Sequence, residues 1–175
     1  MALLGSIIGL ALCGSVTASV DHVGCVTIAG SPGPLAQVRL AIHGPEWSYI
    51  GQEQAVRLRV TPASAEGTIP MPQRAAGNMR FSESLKSQDG RVVLQYAVTF
   101  TEESSLNGAY VVVTLPTEIW KGREALLAPT MERRRIPAAE TDPRFAQPAS
   151  AVAIEEGAGL YFVIASPSRP MVALE

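Results

Sequence analysis

The chain has 175 residues, 47% of them apolar, and a formal net charge of −2. That length fits one domain able to bury about two-thirds of its unfolded surface, and the apolar content excludes general disorder. A pI near 5.7 excludes a general nucleic-acid binder, whose domain typically has a pI above about 9.

Residues 1–20, MALLGSIIGLALCGSVTASV, contain no Asp, Glu, Lys, Arg or His. Residues 2–12 supply the apolar stretch of about 7–15 residues that a secretory signal needs, and Val16-Thr17-Ala18 supplies a small-residue exit. Residues 1–18 therefore read as a signal peptide cut after Ala18, with export to the periplasm, cell surface or medium. A membrane anchor and a buried core segment are the alternatives. Against the anchor, Gly5, Ser6, Gly9, Gly14, Ser15, Thr17 and Ser19 dilute the run of about 20 apolar residues that a span requires. No stable membrane span is expected in the mature chain. The segment has no basic residue before its apolar stretch, which leaves room for a start further upstream. Leu10-Ala11-Leu12-Cys13-Gly14 is similar to a lipobox, but Leu12 stands where Gly, Ala or Ser normally precedes the cysteine. Cys25, the cysteine left after cleavage, lies among Val23, Val26 and Ile28 and reads as a small buried hydrophobe. The fold is then expected not to rest on disulfides.

Further along, apolar residues recur with period 2, the mark of half-buried antiparallel strands. Residues 35–42 place Val38, Leu40 and Ile42 on one face and Gln37 and Arg39 on the other. In residues 56–60, Val56, Leu58 and Val60 are expected to face a core while Arg57 and Arg59 face water. Residues 91–100 repeat the device with Val92, Leu94, Tyr96, Val98 and Phe100 inward. More strands are expected at residues 109–115, 151–155, 160–165 and 171–174, and weaker ones at 25–29, 79–82 and 125–127. Tyr110-Val111-Val112-Val113 is apolar on both sides, which suggests a central position in a sheet. Turn chemistry separates these runs at residues 31–34, 88–90, 106–108 and 156–159. Residues 61–77 and 137–150 read as long loops, and residues 117–122 as a single helical turn. Together these features predict an all-β fold, an antiparallel β-sandwich with long Pro/Gly-rich loops.

Chemistry-bearing residues are few. Glu102-Glu103 and Glu155-Glu156 are paired acids, but neighbours in a strand point to opposite faces, so neither pair converges. His22 and His43 are the only histidines, and no HxH, CxxC or HExxH spacing accompanies them. No metal, cofactor or catalytic residue is expected. His43-Gly44-Pro45-Glu46-Trp47 is the one place where His, Glu and Trp gather. Two readings compete there: an exposed turn with Trp47 packed against the body, and a carbohydrate contact made by Trp47 and Tyr49 with Glu46 bonding a hydroxyl. The second makes Glu46, Trp47 and Tyr49 the candidate ligand-binding residues, since a flat apolar ring can stack on a sugar while polar neighbours take its hydroxyls. Trp120 is expected to cap one end of the core. Arg133-Arg134-Arg135 reads as a solvated strand edge that discourages edge-to-edge association.

One stretch resembles a known class. Ser105-Leu106-Asn107-Gly108-Ala109-Tyr110-Val111-Val112-Val113-Thr114-Leu115-Pro116, followed by Lys121-Gly122 and a short strand, is similar to β-sandwich accessory domains of exported bacterial glycan-processing enzymes. The resemblance covers residues 91–127 and carries no catalytic residue. It implies a non-catalytic β module, with a glycan or a downstream catalytic domain as partner. Met171-Val172-Ala173-Leu174-Glu175 ends the chain inside a strand-like run, so residues 19–175 are expected to form one sandwich domain, truncated at its C-terminal side. The functional expectation is an exported, non-enzymatic module that binds carbohydrate or assists a glycan-processing enzyme. The N-terminal portion of a glycoside hydrolase or related hydrolase, and a cell-envelope structural protein with no small ligand, are the alternatives.

Overall fold

The computed structural model describes residues 3–11, 16–31, 33–88, 91–139, 145–148, 151–157, 160–165 and 171–174. In chain order the elements are β1 (Leu3–Ala11), β2 (Thr17–Val20), β3 (Val26–Gly30), β4 (Gly33–His43), β5 (Tyr49–Gly51), β6 (Val56–Thr61), β7 (Ser64–Pro70), β8 (Asn78–Gln88) and β9 (Arg91–Phe100). There follow β10 (Gly108–Thr114), the one-turn helix α1 (Thr117–Trp120), β11 (Glu124–Ala128), β12 (Glu132–Arg135), β13 (Phe145–Pro148), β14 (Ala151–Gly157), β15 (Leu160–Ala165) and β16 (Met171–Leu174).

The strands form antiparallel sheets packed on one another, the all-β sandwich that the period-2 patterning implies. A first sheet runs β1-β9-β8-β7-β6, and a second runs β10-β4-β3-β2 with β5 paired to the end of β4. A third runs β12-β11-β14-β15, and β13 pairs with β16 as a ribbon. One core joins Met79, Leu94 and Tyr96 of the first sheet, Ile28, Val38 and Ile42 of the second, and Leu127 and Ile154 of the third. Among the described residues no helix is long and apolar enough to cross a membrane.

The alternation in β9 is realised as expected: Val92, Leu94 and Tyr96 are buried, Val98 and Phe100 half-buried, and Gln95, Ala97 and Thr99 exposed. Val38, Leu40 and Ile42 of β4 also point into the core. Just upstream the register slips, so that Ile28 faces Ala36 while Ala29 faces Pro34. Leu35 is the extra residue of this bulge, and both Leu35 and Ala36 are fully buried. The Leu35 carbonyl accepts the indole N–H of Trp120 at 2.7 Å. Trp120, itself 0% exposed, thus closes one end of the core as anticipated.

Four expectations require correction. β6 carries a bulge: Val56 faces Thr68 but Arg59 faces Glu66, three residues against two. The extra residue reverses the side on which Val56 lies, so Val56 is 52% exposed instead of facing the core. Arg57 sits inside the bulge with φ of 54°. Residues 61–77 are not all loop, because Ser64–Pro70 is a strand at the heart of the first sheet. Its inward positions are held by Ala65, Gly67 and Ile69, too small a set to give an apolar signature. The run Tyr110–Val113 lies in β10, an edge strand rather than a central one, and its residues are half-buried. Within residues 137–150, Phe145–Pro148 forms β13. The turns expected at residues 89–90 and 158–159 and the lipobox-like Cys13 lie outside the described residues.

Leu3–Ala11 pairs with β9 over most of its length, from Leu3 opposite Val98 to Ala11 opposite Arg91. The arginine-rich β12 is the outer strand of the third sheet; Arg133 bonds Glu124 at 2.7 Å, and Arg134 pairs with Glu132 at 2.5 Å.

Candidate functional site

Strand β4 ends at His43, where the outward face of the second sheet meets two neighbours. β5 places Tyr49 opposite His43, and β10 places Gly108 opposite His43 and Tyr110 opposite Ala41. His43 is the hub. Its ring lies 5.4 Å from that of Tyr49, 5.5 Å from that of Tyr110 and 5.8 Å from that of Trp47, all edge-to-face. Such geometry sets the positive edge of one ring on the negative face of another. Gly108 makes room for this packing: the Tyr110 ring rests where a Cβ on residue 108 would lie. The Tyr110 hydroxyl donates to the Asn107 carbonyl at 3.3 Å.

Trp47 arrives by a tight loop. The Gly44 N–H donates to Ser48 O at 2.8 Å, and the Ser48 hydroxyl donates to Pro45 O at 2.9 Å, closing residues 44–48 on themselves. Glu46 and Trp47 both adopt left-handed backbone, with φ of 57° and 60°. For a bulky residue such as Trp this conformation costs on the order of 1–3 kcal/mol. Trp47 is nonetheless 68% exposed. The loop therefore holds a large apolar ring in water at a backbone cost, so Trp47 is not packed against the body.

Glu46, Trp47 and Tyr49 do come together at one rim. Trp47 and Tyr49 share His43, and the exposed Glu46 carboxylate pairs with Arg74, itself left-handed at φ 66°. Tyr49 donates to Glu53 at 3.4 Å, and its hydroxyl is pushed to a higher pKa, first by burial and further by the Glu53 carboxylate, against Arg39. Two polar atoms beneath this face have no hydrogen-bond partner among the described residues: His43 Nδ1 and Arg39 Nε, both buried. Buried polar atoms without partners are rare.

Cys25 is partly buried, and burial above all, with Asp21 and Glu53, raises its thiol to about 11. It therefore stays protonated at neutral pH and is no nucleophile. Glu102, Glu103 and His22 are exposed. Glu155 and Glu156 lie in β14, with side chains outside the described residues. No group of three or more His, Cys, Asp or Glu among the described residues could hold a metal ion.

Nothing in the local sequence pointed to Tyr110 or Arg74, which reach the site from other strands and loops. A second polar group, in the core, also went unread. Glu83 of β8 is 2% exposed and faces inward, directly across the ladder from Tyr96. Its Oε2 accepts from Gln52 Nε2 at 3.2 Å, while Gln52 also donates to Gly24 O at 2.6 Å and accepts from Leu40 N at 2.8 Å. Gly24 has φ of 82°, and a Cβ there would sit 2.9 Å from Gln52 Nε2, so the carbonyl reaches Gln52 because the residue is glycine. Burial raises the Glu83 carboxyl to about 7, against the opposing pull of Gln52 and Tyr96. Sealed between sheets, this acid has no access to substrate and serves the fold.

No protein-family model, curated protein or solved structure matches the chain.

Proposed function

We propose that this chain is an exported β-sandwich module that binds carbohydrate through the Trp47–Tyr49 rim, assisting a glycan-processing enzyme rather than acting as one. The observation that carries this reading is Trp47: 68% exposed on a strained left-handed loop, braced edge-on by His43. A sugar ring stacked on Trp47 would bury apolar surface, while the Glu46 carboxylate and Tyr49 hydroxyl offer hydrogen bonds to its hydroxyls.

The two tryptophans make the test simple. Trp120 is fully buried and Trp47 is exposed, so a ligand that stacks on Trp47 shifts the red component of the emission and leaves the blue one unmoved. A glycan array followed by fluorescence titration is expected to find such a ligand. Trp47→Ala is expected to lower its affinity about tenfold or more. Binding to no glycan, or a W47A variant that binds as the parent does, removes this function.

A further inference from the structure

The outward face of the first sheet carries an open concavity of about 450 Å³, whose lining shares no residue with the aromatic rim. Its floor is made by short outward side chains: Thr68 of β7 opposite Arg80 of β8, which in turn lies opposite Thr99 of β9. Ser82 and Ala97 form the next rung. Around this low floor stand three long basic residues, Arg57 and Arg59 from β6 and Arg80 from β8. Among the residues that line the concavity only Glu66 opposes them, and it already pairs with Arg59 at 3.4 Å. Arg57 and Arg80 have no ion pair among the described residues. An excess of guanidinium charge thus gathers on one face of a protein whose net charge is −2.

Arg57 gives this arrangement its specificity. It holds a left-handed φ of 54° at the β6 bulge, where an Arg gains nothing from the backbone. Bulges re-aim side chains, and here the bulge adds a second outward-facing arginine to β6 beside Arg59. Strands two apart in a sheet lie roughly 10 Å from each other. Arg57 and Arg80 therefore flank the hydroxyl-bearing strand β7 like two posts on either side of a channel. Arginines so placed bind carboxylates bidentately, and the Thr68 hydroxyl between them, with those of Ser82 and Thr99 beside Arg80, suits sugar hydroxyls. No exposed aromatic ring lines the concavity (Phe81, at its floor, is 4% exposed), so there is no platform for stacking nucleobases.

We propose that this concavity is an anion-binding site for an acidic glycan, an oligosaccharide bearing carboxylate groups, held by Arg57 and Arg80 over the Thr68–Thr99 floor. The site goes beyond the Trp47 rim and stands without it. Calorimetric titration of the full chain with oligogalacturonate, its fully methyl-esterified form and a single-stranded DNA of similar charge tests it. Binding of the acid form, weakened by added salt and absent for the ester, is expected. Arg80→Gln and Arg57→Asn are each expected to lower that affinity about tenfold, Asn being chosen because it tolerates the left-handed backbone. Trp47→Ala should leave the acid-form affinity unchanged, which separates this site from the rim, and matching circular dichroism and melting curves show that the variants fold. Overturning results are equal binding of the ester, DNA bound as tightly as the acid glycan, no binding of the acid form, or folded R57N and R80Q variants that bind it like the parent.

Discussion

Glu83 is the residue whose chemistry reaches furthest into stability. In the folded chain its carboxyl holds its proton up to about pH 7, whereas in an unfolded chain it releases it near 4.5. Between those values the folded state binds a proton that the unfolded state has lost, so this group's contribution is full below about 4.5. It declines as pH rises to 7 and is level above that. The contribution lost amounts to about 3 kcal/mol. Exposed carboxylates titrate with other signs, so the difference between parent and variant is what isolates Glu83. Glu83→Gln keeps the neutral shape at every pH, and denaturant titrations at pH 4.5 and 7.5 are expected to show its stability relative to the parent rising across that window. A constant difference between the two proteins would mean that Glu83 is ionised in the fold. Glu83 was hard to read because it interrupts its own pattern: Met79, Phe81 and Leu85 share its face, and a Glu in the series makes the strand look finished at Ser82. Its partner Gln52 lies 31 residues away, in a turn with no signature. By contrast Glu46, Trp47 and Tyr49 were legible because one loop carries all three, while Tyr110 and Arg74 are joined to them only by the fold.

At the scale of elements, legibility followed the regularity of the ladder. β9 has no slip within Val92–Phe100 and alternates faithfully against β8. Strands with bulges misled on the residues around the bulge, as Val56 shows, because one inserted residue flips the side chain that precedes it. β10 misled for a different reason: Tyr110-Val111-Val112-Val113 is apolar on both sides because one face packs on the core cluster while Tyr110 joins the rings around His43. Two-sided burial without a central position is the outcome. The β4 bulge also sets the strength of the joint between α1 and the second sheet. It takes the Leu35 carbonyl out of register, and the Trp120 indole satisfies it. Trp120→Phe keeps most of the apolar volume but leaves that buried acceptor unpaired, an expected loss of about 1–3 kcal/mol. Trp120→Ala is expected to cost more, about 3–5 kcal/mol. Thermal and urea unfolding of the two variants measures both; equal losses would assign the whole effect to the hydrogen bond and none to packing.

For the whole molecule, the opening segment matters most. The apolar, uncharged composition that suits an export signal also suits a sheet strand, and Leu3–Ala11 covers the outer edge of β9. The exported reading makes a definite statement: protein recovered outside the cytoplasm begins at Ser19, as intact-mass measurement and N-terminal sequencing would show. A recovered chain that still carries Leu3–Ala11 would instead make that segment a permanent strand. Cleavage would uncover the hydrogen-bonding edge of β9, and uncovered edges invite pairing.

The sandwich also fixes how its two outer surfaces can be used. Sheets in such folds pack about 10 Å apart, and the aromatic rim and the arginine concavity stand on outward faces turned away from each other. If both proposed sites bind as argued, they would hold two different strands at once. In a dense polysaccharide layer such a module would act as a bivalent cross-link, its grip growing with the local density of chains rather than with the length of any one of them.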